Sequence, residues 1–411
     1  MQKLKSIVPE RISTPAKLFL WANVLNGLGN GIFNVVLQLY MLQLGFTASD
    51  LGTIFMMSSL AMFVFTIPAG ILADRYGRGK VVMWGWIPFL VQSVIILTTS
   101  SLEMMCLAWL LNGIGNATGN VLGPVFSSLF DREDLDKAFG LRGFINIVSM
   151  SAGSFLGFLP PMLVAGYAYT LRSAYWMVLM LGSIVCMSQM PLYLIIFRYL
   201  KDEKRGNGFK FKLESSRVVA KYSLMYIIQN IALMPFVSLL PYFVNKKFGV
   251  QSDALGAIQV VSYFVQAGSN ILGPRVAQRF GAVRTIAASL ILASPFFALF
   301  AVAPSFLWIS IVYVTRLGIA SLCNPLLSSL FFKLIHEEEK ATANSITTMA
   351  QLGTNVFTPK LGAYLMEDVS INAPALLAAS MYPFYGAIFY YFFRNEKAPQ
   401  QKPIEAQTIA K

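Results

Sequence analysis

The sequence predicts an all-α polytopic membrane protein with twelve transmembrane helices in two six-helix parallel repeats. Three observations predict this fold: an apolar composition, twelve apolar stretches long enough to cross a bilayer, and an internal repeat. Of the 411 residues, 56% are hydrophobic and only 12% are charged, and the mean hydropathy is +0.61. Soluble globular proteins carry roughly twice that fraction of charge, so these residues cannot build a water-facing surface for so long a chain.

The apolar stretches follow one another with short polar turns between them. A membrane-crossing helix needs about 20 mainly apolar residues. Because lipid offers no hydrogen-bond partners to the backbone, stretches of this length cross the bilayer as helices. The predicted spans are 16–42, 50–73, 80–99, 103–129, 139–164, 172–197, 217–244, 253–274, 283–303, 305–334, 340–366 and 371–393.

The first stretch follows a basic segment, as the hydrophobic region of a signal peptide would. It is longer than such a region and has no convincing small-residue cleavage site, so it predicts a retained first helix. The three cysteines, Cys106, Cys186 and Cys323, are far apart and lie inside predicted spans. Their odd number and spacing predict neither a disulfide framework nor a metal site, and we predict no cofactor.

Basic residues predict the orientation of the helices. If the N terminus is cytoplasmic, 27 of the 32 Lys and Arg residues fall on the cytoplasmic side, and only Arg172, Lys246 and Lys247 fall on outer loops. The positive-inside rule therefore predicts a multi-pass protein of the cell membrane with both termini in the cytoplasm. Since the charges that make up the net +13 are spread over many loops, they do not predict a nucleic-acid partner.

An internal repeat divides the chain into two halves. GPVFSSLF at 123–130 recurs as NPLLSSLF at 324–331, SDLG at 49–52 recurs as SDALG at 252–256, and ADRYG at 73–77 recurs as AQRFG at 277–281. An even number of helices per half gives both halves the same orientation, so the repeats are parallel. The predicted domains are an N-terminal bundle (1–199), a cytoplasmic linker (200–216), a C-terminal bundle (217–394) and a polar tail (395–411).

The loop after the second span reads GILADRYGRGK, from Gly70 to Lys80. This segment closely resembles the signature loop of the major facilitator superfamily, G-x-L-a-D-R-x-G-R-r-x. The twelve spans, the 6 + 6 repeat and the long middle loop also resemble that family across nearly the whole chain. The resemblance implies a monomeric secondary transporter that exposes a small-molecule site to each side of the bilayer in turn.

The signature loop predicts a gate. In the family it latches the two halves together on the cytoplasmic side, with its Asp near a helix N terminus of the other half. From the residues alone, Gly70 suits close helix approach, Gly77 suits a tight turn, and Asp74 can pair with Arg78 if the second helix continues. By resemblance, the predicted gating residues are Gly70, Asp74, Arg75, Gly77 and Arg78, with Asp131 or Glu133 at the inner end of the fourth helix as the partner.

Amide side chains form stripes along the first, eighth and eleventh spans and cluster in the fourth. Amides cannot face hydrocarbon without a partner, so these stripes point inward. They either line an aqueous cavity or form hydrogen bonds between helices, and three stripes favour a cavity. The predicted substrate-binding residues are Asn26, Asn30, Asn34, Asn112, Asn116, Gln259, Gln266, Arg316, Gln351 and Asn355.

Two basic residues lie within spans, whereas all 19 acidic residues lie in loops, tails or helix ends. Arg316 lies near the predicted membrane midplane, where it either bonds neighbouring helices or pairs with an anionic solute. Lys360 lies near the outer surface, and we expect its ammonium group to reach the outer interface along its aliphatic chain. The lone His336 lies beside three Glu residues at a helix end, so proton coupling has no obvious embedded carrier.

The leading hypothesis is a secondary transporter that moves a small polar or amphipathic solute, with anionic character favoured by Arg316. The alternative is a proton-coupled multidrug efflux antiporter. Antiporters of the family often carry G-x-x-x-G-P in the fifth helix, but here Gly153 and Gly157 are followed by Phe158, a partial match that does not favour export. A membrane-embedded enzyme is a third hypothesis that the sequence does not favour, since it shows no catalytic cluster and no Walker-type motif.

Overall fold

The computed structural model describes residues 12–130, 134–199, 214–336 and 339–396. Its N-terminal half contains α1 (Thr14–Gln43), α2 (Ala48–Tyr76), α3 (Arg78–Thr98), α4 (Leu102–Gly119), α5 (Leu122–Ser127), α6 (Leu135–Phe155), α7 (Leu159–Tyr167), α8 (Leu171–Met187) and α9 (Met190–Tyr199). Its C-terminal half contains α10 (Ser216–Val237), α11 (Leu240–Phe248), α12 (Ser252–Phe280), α13 (Ala282–Ala301), α14 (Phe306–Ser321), α15 (Asn324–Lys333), α16 (Lys340–Tyr364) and α17 (Ala373–Phe393). The predicted linker at 200–216 and tail at 395–411 lie almost entirely outside these residues.

These helices make the twelve predicted spans. Eight helical stretches in the described chain are long and apolar enough to cross a membrane by length and composition. The long helices α1, α4, α12 and α16 complete the twelve, and these four carry the amide side chains that lower their hydropathy. Among the described residues no strand occurs, so the predicted all-helical polytopic fold is confirmed.

Several predicted spans are two helices instead of one. Proline occupies the first turn of α7, α11 and α15, each of which follows directly on another helix. Proline fits a first helical turn because it has no N–H to donate, but within a helix it removes a hydrogen bond and clashes with the preceding turn. Prolines also lie inside unbroken helices, as Pro68 does in α2 and Pro88 in α3, so proline alone does not identify a break, and the prediction of continuous helices at these three places was wrong.

Capping residues and glycines set the helix ends. Thr47 and Asp50 form a capping box at the start of α2, in which each side chain accepts a hydrogen bond from the other residue's backbone N–H. Gly77 ends α2 with a φ of +98°, and Gly281 ends α12 with a φ of +85°. These glycines are equivalent in the sequence repeat, and positive φ is the conformation that glycine adopts without steric cost.

The two halves meet at one end of the bundle. We call the end where α1 begins and α17 ends the termini end, and the opposite end the distal end. At the distal end α2 packs on α16 and α6 packs on α12. A Cβ added to Gly52 would lie 2.9 Å from Pro359 O, and one added to Gly157 would lie 2.7 Å from Ser252 O. Such contacts bring the backbones of the two halves together.

Toward the termini end the halves separate. A Cβ added to Gly70, Gly123 or Gly140 would meet nothing within 4 Å. The strongest hydrogen-bonded contacts between described residues of the two halves lie instead in the distal part, for example at Gln38 and Lys360. The space between the halves therefore opens to the termini end. The expectation that Gly70 supports close helix approach is wrong for this conformation, because no neighbouring helix reaches it.

Candidate functional site

The amide stripe of α1 divides into three environments. Asn23 is buried and donates to Arg142 O, which ties α1 to α6. Asn30 is exposed and donates to both oxygens of Asn26, at 2.9 Å and 3.0 Å, so it still has a free acceptor. Asn34 is also exposed, near the middle of the helix, and lies against the hydroxyl of Tyr263 in the other half. Asn26, Asn30 and Asn34 therefore remain available to a solute in the open space.

The amides of α4 form a network inside the N-terminal half. Asn112 accepts from Ser58 Oγ at 3.0 Å and from Asn116 Nδ2 at 2.8 Å, and it donates to Gln92 Oε1 at 3.1 Å. These contacts join α2, α3 and α4. Because its hydrogen-bonding capacity is largely used, Asn112 acts as an interhelical bond in this conformation, whereas Asn116 is exposed.

A cavity of about 220 Å³ lies between the two halves, on the distal side of the open space. Its walls come from α2, α4, α10 and α16, with Ser238 just after α10. The lining residues are Phe55, Ser58, Ser59, Trp109, Met234, Ser238, Asn355, Thr358 and Pro359. Asn355 Oδ1 and Thr358 Oγ1 are buried without a hydrogen-bond partner among the described residues. Buried polar groups normally have partners, so these two atoms mark a place where a ligand or water is expected.

The remaining predicted amides lie on the C-terminal half. Gln259 and Asn34 line a cavity of about 20 Å³ together with Tyr313, at the junction of α1, α12 and α14. Gln351 accepts from Asn230 through its backbone oxygen and keeps a partly exposed side chain. Gln266 is partly exposed and forms no hydrogen bond with another described residue. The predicted amides therefore do not converge on one pocket.

Arg316 lies inside the C-terminal bundle, not on a cavity wall. Its residue exposure is 4%. The guanidinium carbon is 4.5 Å from the ring centroid of Phe297, and Nη2 donates to Tyr382 Oη at 3.2 Å. Nε is buried without a partner among the described residues. Contact between Arg316 and an anionic solute stays a prediction, and it requires movement of the aromatic residues that cover the guanidinium.

Lys360 does not extend to the outer interface, so that expectation is wrong. Its ammonium nitrogen donates to Ser49 Oγ at 2.7 Å, Thr53 Oγ1 at 2.8 Å and Ser49 O at 3.2 Å. All three acceptors belong to α2 of the other half. The side chain satisfies its three donors within the protein and joins α16 to α2 at the distal end.

The signature loop is disengaged in this conformation. Asp74 and Arg75 are exposed near the end of α2. Arg78 begins α3, so the helix does not continue through Gly77 and the expected i,i+4 pair between Asp74 and Arg78 does not form. Asp131 and Glu133, the expected partners at the inner end of the fourth span, lie outside the described residues. The geometry of the loop agrees with halves that are separated at the termini end.

Sequence reasoning missed the aromatic and hydroxyl members of the site. Phe55, Trp109 and Met234 line the inter-half cavity beside Ser58 and Ser59. Apolar residues in a membrane helix carry no periodic signal that separates cavity from lipid, so these positions could not be selected. The buried tyrosines around Arg316 were missed for the same reason. Thr358 continues the amide stripe of the eleventh span, which is the one signal that pointed to it.

Comparisons with known proteins agree with this architecture. The model of the Major Facilitator Superfamily matches residues 19–221 and 222–410. Multidrug resistance protein 1 of Bacillus subtilis (strain 168) is 23% identical over 368 residues, which cover 88% of this chain and 89% of that protein. Tetracycline resistance protein, class C, of Escherichia coli is 31% identical over 110 residues, which cover 27% of this chain and 28% of that protein.

Solved structures show the same fold. A bacterial homologue of the iron transporter ferroportin, in an inward-facing state, aligns with a TM-score of 0.71 and 15% identity over 92% of this chain and 98% of that chain. The nucleoside transporter NupG aligns with a TM-score of 0.68 and 12% identity over 93% of this chain and 99% of that chain. The chain therefore belongs to the Major Facilitator Superfamily and is a multi-pass secondary transporter.

Proposed function

We propose that this transporter carries a small polar or amphipathic solute and binds it in the inter-half cavity. The observation that supports this proposal is the pair of unpartnered oxygens, Asn355 Oδ1 and Thr358 Oγ1, in a cavity walled by both halves. Trp109 and Phe55 supply apolar surface beside them. Ligand sites combine such apolar walls with a few placed polar groups. Asn30, Asn34 and Asn116 line the approach from the open end.

We propose that the termini end faces the cytoplasm. The distribution of Lys and Arg supports this orientation through the positive-inside rule. The conformation is then inward-open, with the distal contacts closing the outer side. The gating residues Asp74, Arg75 and Arg78 act in the opposite state, when the termini end closes. The predicted division into bundles at 1–199 and 217–394 supplies the two bodies that move.

The proposed solute has anionic character if Arg316 takes part. A buried guanidinium without a carboxylate partner is costly in a membrane interior. Cation–π contact with Phe297 offsets only part of that cost. Nε of Arg316 has no partner in the described part of the chain, so it can donate a hydrogen bond to an anionic group. Binding there requires movement of Tyr313, which lines the small cavity.

The second candidate function is proton-coupled multidrug efflux. The names of the relatives favour it, since two of them are multidrug and tetracycline resistance proteins. The inter-half cavity, with Trp109, Phe55 and Met234, would also accept an amphipathic drug. No carboxylate lies in the middle of a span in the sequence, so efflux would need a coupling group elsewhere.

A ligand screen followed by transport assays tests these proposals. Purified protein is screened for thermal stabilisation by anions, sugars and cationic drugs, and compounds that stabilise it are then assayed in proteoliposomes. We expect Asn355→Ala and Thr358→Val to abolish both stabilisation and transport. Asn120→Ala, an exposed amide nearer the termini end, is the matched control. Unchanged binding in both cavity variants would contradict the proposed site, and solute-driven acidification or alkalinisation of the vesicles would favour proton-coupled efflux.

A further inference from the structure

A second cavity lies at the distal end of the N-terminal half, away from the contact between the halves. Its volume is about 420 Å³. The residues around it come from α1, the end of α3, the turn before α4 and the start of α8. They are Tyr40, Leu97, Thr98, Thr99, Ser100, Tyr169, Arg172, Ser173, Trp176 and Met177. Six of these residues carry a hydroxyl group that can donate a hydrogen bond: Tyr40, Thr98, Thr99, Ser100, Tyr169 and Ser173.

The cavity contains an unpaired cation. Arg172 forms no ion pair or hydrogen bond with another described residue, and its side chain is exposed. The other two basic residues predicted on outer loops are engaged: Lys247 donates to Phe300 O, Ala301 O and Asn372 Oδ1, and Lys246 lies over the ring of Tyr242. Arg172 is therefore the cation of this set that remains available to a ligand.

The side chain of Tyr40 supplies a second group for the same ligand. Tyr40 is only 3% exposed and lines the cavity, yet its hydroxyl has no hydrogen-bond partner among the described residues. Arg172 lines the same cavity as Tyr40. Because Tyr40 lines the cavity, this free donor is available there, and an anion held by Arg172 would accept a hydrogen bond from it.

The backbone adds a positive potential. Thr170 caps the N terminus of α8 by accepting from Ser173 N at 3.2 Å, so this helix starts at the cavity. Helix N termini favour anions because their N–H groups and the helix dipole point outward there. Trp176 Nε1 donates to Leu97 O at 2.8 Å, which holds the α8 wall against α3 and keeps the cavity preformed.

We propose that this distal cavity binds a phosphate-type anion, held by Arg172, Tyr40 and the N terminus of α8. Guanidinium groups match phosphate oxygens in geometry and charge. The cavity is larger than a phosphate group, and the indole of Trp176 and the ring of Tyr169 provide apolar walls for an attached organic group. Two sources share this chemistry: free phosphate from solution and the phosphodiester of an anionic phospholipid headgroup.

The test measures binding at this cavity with each source separately. In lipid-free detergent, thermal unfolding is followed during titration with sodium phosphate against sodium chloride of equal ionic strength. In a second arm, native mass spectrometry counts lipids retained from mixtures of phosphatidylglycerol and phosphatidylcholine. The variants are Arg172→Gln and Tyr40→Phe, and the matched control is Lys246→Gln, which removes another cation predicted on an outer loop.

We expect Arg172→Gln to weaken binding by about tenfold or more, Tyr40→Phe to weaken it less, and Lys246→Gln to leave it unchanged. Stabilisation by sodium phosphate identifies free phosphate as the source, and preferential retention of phosphatidylglycerol identifies the lipid headgroup. If neither ligand binds the wild-type protein in preference to its neutral or chloride control, the proposal is wrong. Equal binding by the wild-type and Arg172→Gln proteins also overturns it. Circular dichroism of each variant verifies that it is folded.

Discussion

At the scale of single residues, Arg316 shows how burial changes the meaning of a charge. The sequence places it near the midplane and leaves open whether it bonds neighbouring helices or a solute. In the structure its guanidinium stacks on Phe297 and donates to Tyr382, with Nε unpartnered. An ionised group of this kind is held at a cost in stability, which residues with a functional role commonly carry.

Replacement of Arg316 separates its two roles. We expect Arg316→Gln to abolish transport of an anionic solute without lowering the unfolding temperature, because the change removes a buried charge that lacks a carboxylate partner. Uptake into proteoliposomes and thermal unfolding measure the two effects. Arg284→Gln, an exposed cation near the start of α13, is the control. Retained transport, or a large loss of stability together with lost transport, would assign Arg316 to the structure of the bundle alone.

At the scale of helices, close backbone contacts decide which glycines are essential. Gly31 of α1 and Gly153 of α6 lie at the crossing of these two helices. A Cβ on Gly153 would lie 2.1 Å from Leu28 O, and one on Gly31 would lie 2.3 Å from Met150 O. Backbone atoms cannot move aside as a flexible side chain can, so this crossing requires glycine on both helices. The sequence shows glycines in both spans but does not show which of them face each other.

Two glycines on α6 provide a matched comparison. We expect Gly153→Ala to destabilise the protein by about 1–3 kcal/mol through overpacking against α1. Gly140→Ala, where an added Cβ meets nothing within 4 Å, should be tolerated or slightly stabilising because alanine favours helix. Thermal unfolding in detergent compares the two. Equal unfolding temperatures for the two variants would show that the α1–α6 crossing relaxes without cost.

A carboxylate caps α10 from a distant part of the sequence. Glu339, just before α16, accepts hydrogen bonds from the backbone N–H groups of Glu214 and Ser215. Partial burial opposes ionisation of Glu339, but these hydrogen bonds outweigh it, so its pKa is lowered. Because the folded state binds this proton more weakly than the unfolded chain, ionised Glu339 stabilises the fold above the ordinary pKa of a glutamate, and this contribution is lost as the pH falls through the lowered value.

The pH dependence of stability tests this cap. We expect Glu339→Gln to reduce the free energy of unfolding at neutral pH by about 1 kcal/mol, a value typical for loss of a helix cap. The difference from wild type should shrink as the pH is lowered below about 4, since the wild-type carboxylate is then protonated too. A difference that is constant across the acid range would show that the charge of Glu339 does not act through the cap.

At the scale of the whole molecule, the distal contacts set the conformation. Lys360 joins α16 to α2, and Gln38 of α1 donates to Ser238 O and accepts from Tyr242 N at the junction of α10 and α11. No hydrogen bond between described residues joins the halves near the termini end. A secondary transporter alternates between closure at one end and at the other, so the relative strength of these contacts sets the populations of the two states.

Removal of the Lys360 contacts should shift this balance. We expect Lys360→Gln to increase the population that is open at the distal end by at least about tenfold, since loss of even one hydrogen bond to a charged group removes about 1.5–3 kcal/mol. A cysteine at Thr358, in a background without Cys106, Cys186 and Cys323, reports the change through its labelling rate by an impermeant thiol reagent applied from the distal side. Lys246→Gln is the control. An unchanged labelling rate would show that Lys360 does not hold the distal end closed.

The sequence alone determined the membrane class, the twelve spans, the parallel repeat and the resemblance to the transporter family. These properties follow from composition, length and local motifs, which act through the surrounding lipid and the neighbouring residues of the chain. The breaks before α7, α11 and α15 were not predicted, since prolines occur both at these breaks and inside unbroken helices. The turn at Gly77 was predicted because positive φ is a local requirement, and the structure shows it.

Only the tertiary structure decided what each embedded polar group does. Amides that look alike in the sequence have different environments in the structure. Asn112 forms hydrogen bonds between helices, Asn34 is exposed, and Asn355 has a buried oxygen without a partner among the described residues. Lys360 found its acceptors in Ser49 and Thr53, more than 300 positions earlier in the chain. The physical reason is that a hydrogen bond depends on which helices are neighbours. The helical period predicts the direction in which a side chain points, but it does not predict which residue lies there.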